Sequence, residues 1–153
     1  MTDFKLAKQI AEKYRSKGEK IVFTNGCFDL LHIGHIKYLE GAKKLGDCLI
    51  IGLNSDSSVK SIKGKDRPYI CEEERKEVLK SLRFVDEVIM FDEPTPLELI
   101  KSLKPDILVK GSDWHKENIV GREFVESYGG KVETVDYILG KSTTELARKI
   151  KNS

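Results

Sequence analysis

His32 and His35 stand three residues apart with Gly34 between them, inside the stretch GCFDLLHIGHIKY of residues 26–38. An imidazole can ligate a metal, donate a hydrogen bond or move a proton, so this spacing raises three chemistries. Zinc needs at least a third protein ligand, and the other histidine, His115, is remote in sequence with no cysteine pair beside the motif. The apolar run KIVFTNG before the pair reads as a buried strand ending near Asn25-Gly26. IGHIKYLEGAKKLG after it has helical spacing in Ile36, Leu39, Ala42 and Leu45, with Gly46 as its expected stop. The histidines therefore fall at a helix N-terminus. Backbone N–H groups there lack intrahelical acceptors and the helix dipole is positive, which makes an anion site. Gly34 lets a phosphate approach the backbone, and two imidazoles add donors. The structural alternative is one capping and one packed histidine, and the residues by themselves leave both readings open.

Other stretches carry chemistry as well. SIKGKDRP places Lys63, Lys65 and Arg67 around Gly64, either as a solvated loop or as cations for a phosphate chain. VKGSDWH offers Lys110, Gly111, Asp113 and Trp114; a lone tryptophan at a strand end is a stacking surface or a core anchor. Arg75 follows three glutamates, where an ion pair with Glu72 one turn away is the ordinary reading. LGKSTTE ends like a phosphate-binding loop, but the position five before Gly140 is Val135 rather than glycine. Ser142-x-x-Glu145 is a capping box, and Ser142, Thr143 and Thr144 still present hydroxyls at a helix start.

These residues need a scaffold. Strand patterns at 20–26, 47–55, 86–91, 106–111 and 131–137 alternate with helical patterns at 33–46, 72–84, 95–105, 121–130 and 142–153, and an amphipathic helix opens the chain. Thr95 is the expected N-cap of the third of these helices, with Pro96 at its first position. The polar segment 56–68 reads as a loop. Such alternation predicts a doubly wound parallel α/β sheet of about five strands in a single domain, residues 1–19 forming the N-terminal helix and 20–153 the core. Ligands of such sheets bind beyond the strands' carboxyl ends, where the three chemistry-bearing stretches converge.

The 153 residues balance 27 basic against 25 acidic side chains, for a net charge of +2. With no basic block, nucleic acid is not the expected partner. The longest apolar run, CLIIGL, is far short of a membrane span, and the charged N-terminus has no apolar signal core. Cys27, Cys48 and Cys71 are odd in number and form no CxxC, so reduced thiols and a cytoplasmic location are expected.

GCFDLLHIGHIKYLEGAKKLGD resembles the signature of the cytidylyltransferase-like nucleotidyltransferases: a glycine, Phe-Asp, then His-x-Gly-His. The letters HIGH also mark class I aminoacyl-tRNA synthetases, but this length leaves no room for tRNA-binding domains. GLNSD, IKGKDRP, EERKEVLKSLRFVDEV, KPDILVKGSDW and STT extend the likeness over residues 20–150. They resemble the stand-alone form of the heptose 1-phosphate adenylyltransferases of ADP-heptose synthesis.

That resemblance implies a Rossmann-like fold, transfer of AMP from ATP to a sugar 1-phosphate, and a homodimer; Mg²⁺ is expected to ride on the ATP phosphates without a protein metal site, since no clustered carboxylate motif lies near the histidines beyond Asp29. It assigns His32 and His35 to the triphosphate, His35 nearest the α-phosphate, and Lys63 to the departing pyrophosphate. It places Asn25, Gly26, Phe28, Gly34, Lys110, Gly111, Asp113, Trp114, Ser142, Thr143 and Thr144 around the nucleotide, and Asp29 and Arg75 toward the sugar phosphate. The other reading of Asp29 is that it only orients its turn. The alternative function is that of a CTP-dependent enzyme acting on glycerol 3-phosphate or a similar alcohol phosphate. Those relatives carry RTEGISTT where this chain has YILGKSTT, so Tyr137 replaces an arginine and ATP is favoured. A nucleotide-binding module without catalysis is the third reading.

Overall fold

Alternate residues of each strand supply two apolar layers. Ile21, Phe23, Cys48 and Ile50 join one core, while Val22, Leu49, Ile51 and Leu53 join another. A strand apolar on both faces must be covered on both, and here helices do so. The computed structural model describes residues 1–136 and 142–153. Along the chain these form α1 (Phe4–Arg15), β1 (Ile21–Gly26), α2 (Ile33–Lys43), β2 (Cys48–Asn54), α3 (Asp56–Lys63), α4 (Glu72–Lys80), β3 (Glu87–Phe91) and α5 (Leu97–Leu103). There follow β4 (Ile107–Gly111), a 3₁₀ turn at Lys116–Asn118, α6 (Arg122–Ser127), β5 (Lys131–Val135) and α7 (Thr143–Lys151).

The sheet has the order β3-β2-β1-β4-β5, and every pairing is parallel. The chain winds outward one way from β1 through β2 to β3. It then returns to the other side for β4 and β5, so the winding reverses between β1 and β4. At the start of these strands Asp106 accepts from the Ile21 N–H and Asp86 from the Leu49 N–H. Ala7, Ala11 and Tyr14 of α1 lie in the same core as Leu99, Ile100 and Leu103 of α5, so the N-terminal helix is part of the packed layer.

Three local expectations change. Residues 56–63 form α3 instead of a loop. Ser55 caps it by accepting from the Ser58 N–H, Asp56 sits in the positive first turn, and Val59 is fully buried. The helix's apolar anchor is this single valine, without a periodic apolar stripe. Gly46 does not cap α2, whose C-cap is Lys44. A Cβ at Gly46 would lie 2.6 Å from Val22 Cγ2 and 2.9 Å from the Lys20 carbonyl oxygen, so glycine is required by contact with β1. The cap of α5 falls on Pro96, and Thr95 Oγ1 accepts from the Leu97 N–H at 3.5 Å.

Candidate active site

At the reversal point the carboxyl ends of β1 and β4 open into a cavity of about 480 Å³. Its floor is tied across the two strands, because Lys110 Nζ lies 3.4 Å from the Asn25 carbonyl oxygen. Behind it, Tyr38 of α2 donates to the Val109 carbonyl oxygen and meets Thr24 Oγ1 at 2.7 Å, which fixes α2 against both strands.

The histidines are arranged by the start of α2. His32 is the N-cap, and its Nδ1 accepts from the Gly34 N–H at 3.1 Å. His35 Nδ1 accepts from the His32 N–H at 3.3 Å, completing a capping box built of two imidazoles. The rings lie 4.0 Å apart between centroids, and Phe28 is 5.6 Å from His35. Burial, then the neighbouring His32, push the His35 imidazolium down to about 4. His35 is therefore neutral at pH 7. With Nδ1 accepting, its proton is on Nε2, which makes it a hydrogen-bond donor to the cavity it lines. The cap consumes Nδ1 of His35 and leaves its Nε2–H, so a capping role and a donor role do not compete for the same atom.

The loop that delivers this helix is held in an unusual shape. Phe28 and Leu30 both take positive φ, of 48° and 51°. A Cβ at Gly26 would sit 3.0 Å from the Phe28 ring, so glycine lets that ring fold back. Asp29 is fully buried. Its Oδ2 accepts from Arg67 Nε and the Tyr69 N–H, and its Oδ1 from the Ile70 N–H. It fastens the 64–71 loop to the β1–α2 turn, which is the turn-orienting reading.

Asn25, Gly26, Phe28, Asp29, His35, Lys63, Lys110, Gly111, Trp114 and Thr143 all line the cavity. Trp114 is nearly half exposed, so it is not a core anchor, and Lys110 Nζ sits 5.3 Å over its ring. Burial lowers the Lys110 ammonium to about 8. Thr143 Oγ1 donates to the Asp29 carbonyl oxygen at 2.5 Å, and Ser142 caps α7 by accepting from the Glu145 N–H. His32, Gly34 and Ser142, expected around the nucleotide, do not line the cavity; His32 and Ser142 are the N-caps of α2 and α7. Asp113 lies in the exposed turn after β4, and Thr144 faces a smaller neighbouring cavity. Tyr137 and the rest of 137–141 lie outside the described residues.

The expectation for Arg75 is corrected. It is buried, and its Nε donates to the Ile70 carbonyl, Nη1 to those of Cys27 and Asn54, and Nη2 to Asp56. It clamps three segments together and does not line the cavity. Its expected partner Glu72 instead accepts from the Asp56 N–H. Other lining residues were not expected at this site: Cys27, whose thiol is pushed up by burial, Tyr38, Asn54, Ile62, Arg67 and the 94–96 turn. Arg67 belongs to a charge cluster in the sequence; Cys27, Asn54 and the 94–96 turn lie at or after strand ends, while Tyr38 and Ile62 lie within α2 and α3 and carry no sequence signal for a site.

Among the described residues the one group of three possible metal ligands is Asp56, Glu72 and Glu73, and none of these lines the cavity. No helix of the described residues is long and apolar enough to cross a membrane.

A helix start capped by two histidines stands beside a strand-end cavity lined by Lys63, Arg67 and Lys110, and the chain belongs to the cytidylyltransferase-like family, whose model matches residues 23–147. Two relatives are each named Bifunctional protein HldE. That of Syntrophotalea carbinolica is 54% identical over 143 residues, covering 94% of this chain and 29% of the relative. That of Geobacter metallireducens is 56% identical over 141 residues, covering 92% and 29%. The chain thus spans less than a third of the length of these curated relatives. Among solved structures, the lipopolysaccharide core biosynthesis protein from Thermoplasma volcanium matches with a TM-score of 0.63 at 30% identity, over 79% of this chain and 98% of that one.

Proposed function

We propose that this chain transfers AMP from ATP to a sugar 1-phosphate, D-glycero-D-manno-heptose 1-phosphate by its resemblance, releasing pyrophosphate and ADP-heptose. The observation that carries the reading is the neutral His35, fixed as an Nε2–H donor at the start of α2, in a cavity that also holds Lys63, Arg67 and Lys110. A phosphate monoester is already ionised near neutral pH, so the attacking oxygen needs no general base. Catalysis then rests on aligning two anions and stabilising charge that builds on the α- and β-phosphates. In this reading His35 donates to the α-phosphate, Lys63 meets the β- and γ-phosphates, Lys110 and the helix start hold the chain of phosphates, and Trp114 stacks on the base. The HldE relatives and the lipopolysaccharide-related structure support a sugar-nucleotide product.

Mg²⁺ fits as a companion of ATP. Among the described residues the one carboxylate lining the cavity, Asp29, already accepts with both oxygens, so phosphate oxygens and water would hold the ion. The family's cytidylyltransferase likeness keeps a CTP-dependent reaction on an alcohol phosphate as the second reading. Pyrophosphate release measured with each nucleotide against heptose 1-phosphates and glycerol 3-phosphate decides between them. ATP with a sugar 1-phosphate, in a magnesium-dependent assay, is the expected pair. CTP alone supporting turnover overturns it, and no release with any pair favours a binding module. A cytoplasmic homodimer belongs to the same proposal, with light scattering as its check.

A further inference from the structure

Two anions must meet in this cavity, and the residues assigned above answer mainly for the nucleotide. The acceptor's phosphate needs its own cation, because its oxygen must approach the α-phosphorus against like charge. Arg75 is not placed to supply it, since it does not line the cavity and four of its five N–H groups already donate to three carbonyls and Asp56. Lys110 lies over Trp114 at the floor between β1 and β4.

Arg67 is placed differently. Its Nε donates to the buried Asp29 at 3.1 Å, and its guanidinium lies 4.7 Å over the Tyr69 ring. The side chain is 12% exposed. Among the described residues nothing accepts from its two Nη groups. Those donors are left on a guanidinium whose edge and face are already fixed. Arg67 also lines both the main cavity and a neighbouring one of about 250 Å³, whose other walls include Tyr69, Thr144, Arg148 and Lys151. It stands where a molecule could enter the nucleotide cavity by its phosphate and leave its body in the second space.

We propose that Arg67 is the residue that binds the acceptor's phosphate, gripping two of its oxygens with the Nη pair while Asp29 and Tyr69 hold the guanidinium still. This rests on the nucleotidyl-transfer reading above. A planar fork suits this role because it engages two phosphate oxygens and leaves the third to attack. That oxygen forms the new bond to the α-phosphorus, the bond from the α-phosphorus to the bridging oxygen breaks, and the electron pair leaves with pyrophosphate. No proton has to move. The sugar then extends along Tyr69 toward the start of α7.

The test uses the full chain and separates the two substrates. Wild type is first assayed for pyrophosphate release from Mg²⁺-ATP and a sugar 1-phosphate. In Arg67→Gln the acceptor KM should rise by about thirtyfold or more, the scale for losing a charge-assisted pair of hydrogen bonds. The Kd for ATP, measured by calorimetry without acceptor, should change by less than about threefold. Arg67→Lys keeps the charge opposite Asp29 but loses the fork, and should fall between the two in acceptor KM. It also serves as the folded comparison if Arg67→Gln melts early. A parallel weakening of ATP binding would move Arg67 to the triphosphate and overturn the proposal. An unchanged acceptor KM in an active, folded variant would make Arg67 a mere partner of Asp29 and overturn it as well. A wild type that turns over no pair overturns the underlying reading and this proposal together.

Discussion

At the residue scale, His35 links stability to function through one proton. Its folded pKa near 4 lies below the ordinary value of 6.5, so the unfolded chain binds the proton first as pH falls. The contribution to stability is full above pH 6.5 and is lost progressively between 6.5 and 4, up to about 3 kcal/mol. Urea denaturation at pH 7 and pH 4 should show that loss in wild type and less of it in His35→Gln. His35→Ala should fold at pH 7 yet lose turnover by about a hundredfold, the usual scale for removing a transition-state donor. Normal turnover would leave His35 as a capping residue. Lys110 gives the opposite pH window. Its ammonium titrates near 8, lowered by burial and held up by Cys27 and Asp113, so it loses its charge as pH rises. If it meets the triphosphate, ATP affinity should weaken above pH 8 by up to about tenfold per unit. Lys110→Arg, which stays charged, should flatten that slope in a calorimetric pH series.

At the element scale, α3 changes the meaning of the lysines around Gly64. Lys63 is the last residue of the helix and lines the cavity, whereas Lys65 lies beyond Gly64 and does not. Gly64 takes a φ of 107°, a conformation suited to glycine, and so turns the chain sharply between them. Position and not charge then separates the two. Lys63→Ala should lower kcat more than it raises the ATP KM, because the contact strengthens as charge moves onto pyrophosphate. Lys65→Ala should stay within about half a kcal/mol of wild type in stability and leave kinetics nearly unchanged. Equal small effects on both would return this stretch to the solvated surface.

At the scale of the whole molecule, Arg75 joins the end of β1, the end of β2 and the start of α4 by four hydrogen bonds from a buried guanidinium. Arg75→Met leaves three carbonyls without their side-chain donor and the partly exposed Asp56 without its partner, a combined loss of about 3 kcal/mol. A thermal melt should fall by about 10 °C for a domain of this size. Lysine could not replace it, since one ammonium cannot span those acceptors. A variant that melts normally but loses acceptor affinity would restore Arg75 to the substrate site.

The alternation of strands and helices was legible because burial on two faces writes continuous apolar runs into β1, β2 and β4, and helical spacing into α2. The position of the histidines at a helix start followed from the same local patterns, as did the Ser142 cap of α7. Those features depend on neighbours in sequence. What depended on the tertiary structure was which polar atoms were already spent. Asp29 lies 38 residues from Arg67, and the Cys27 and Asn54 carbonyls lie 48 and 21 residues from Arg75, so nothing in the local patterns tells a guanidinium used on carbonyls from one left with open donors. Likewise α3 hung on one buried valine, and Gly46 on the close approach of β1. Periodicity reveals which face of an element is buried; the partners of a buried charge are fixed only when distant segments meet.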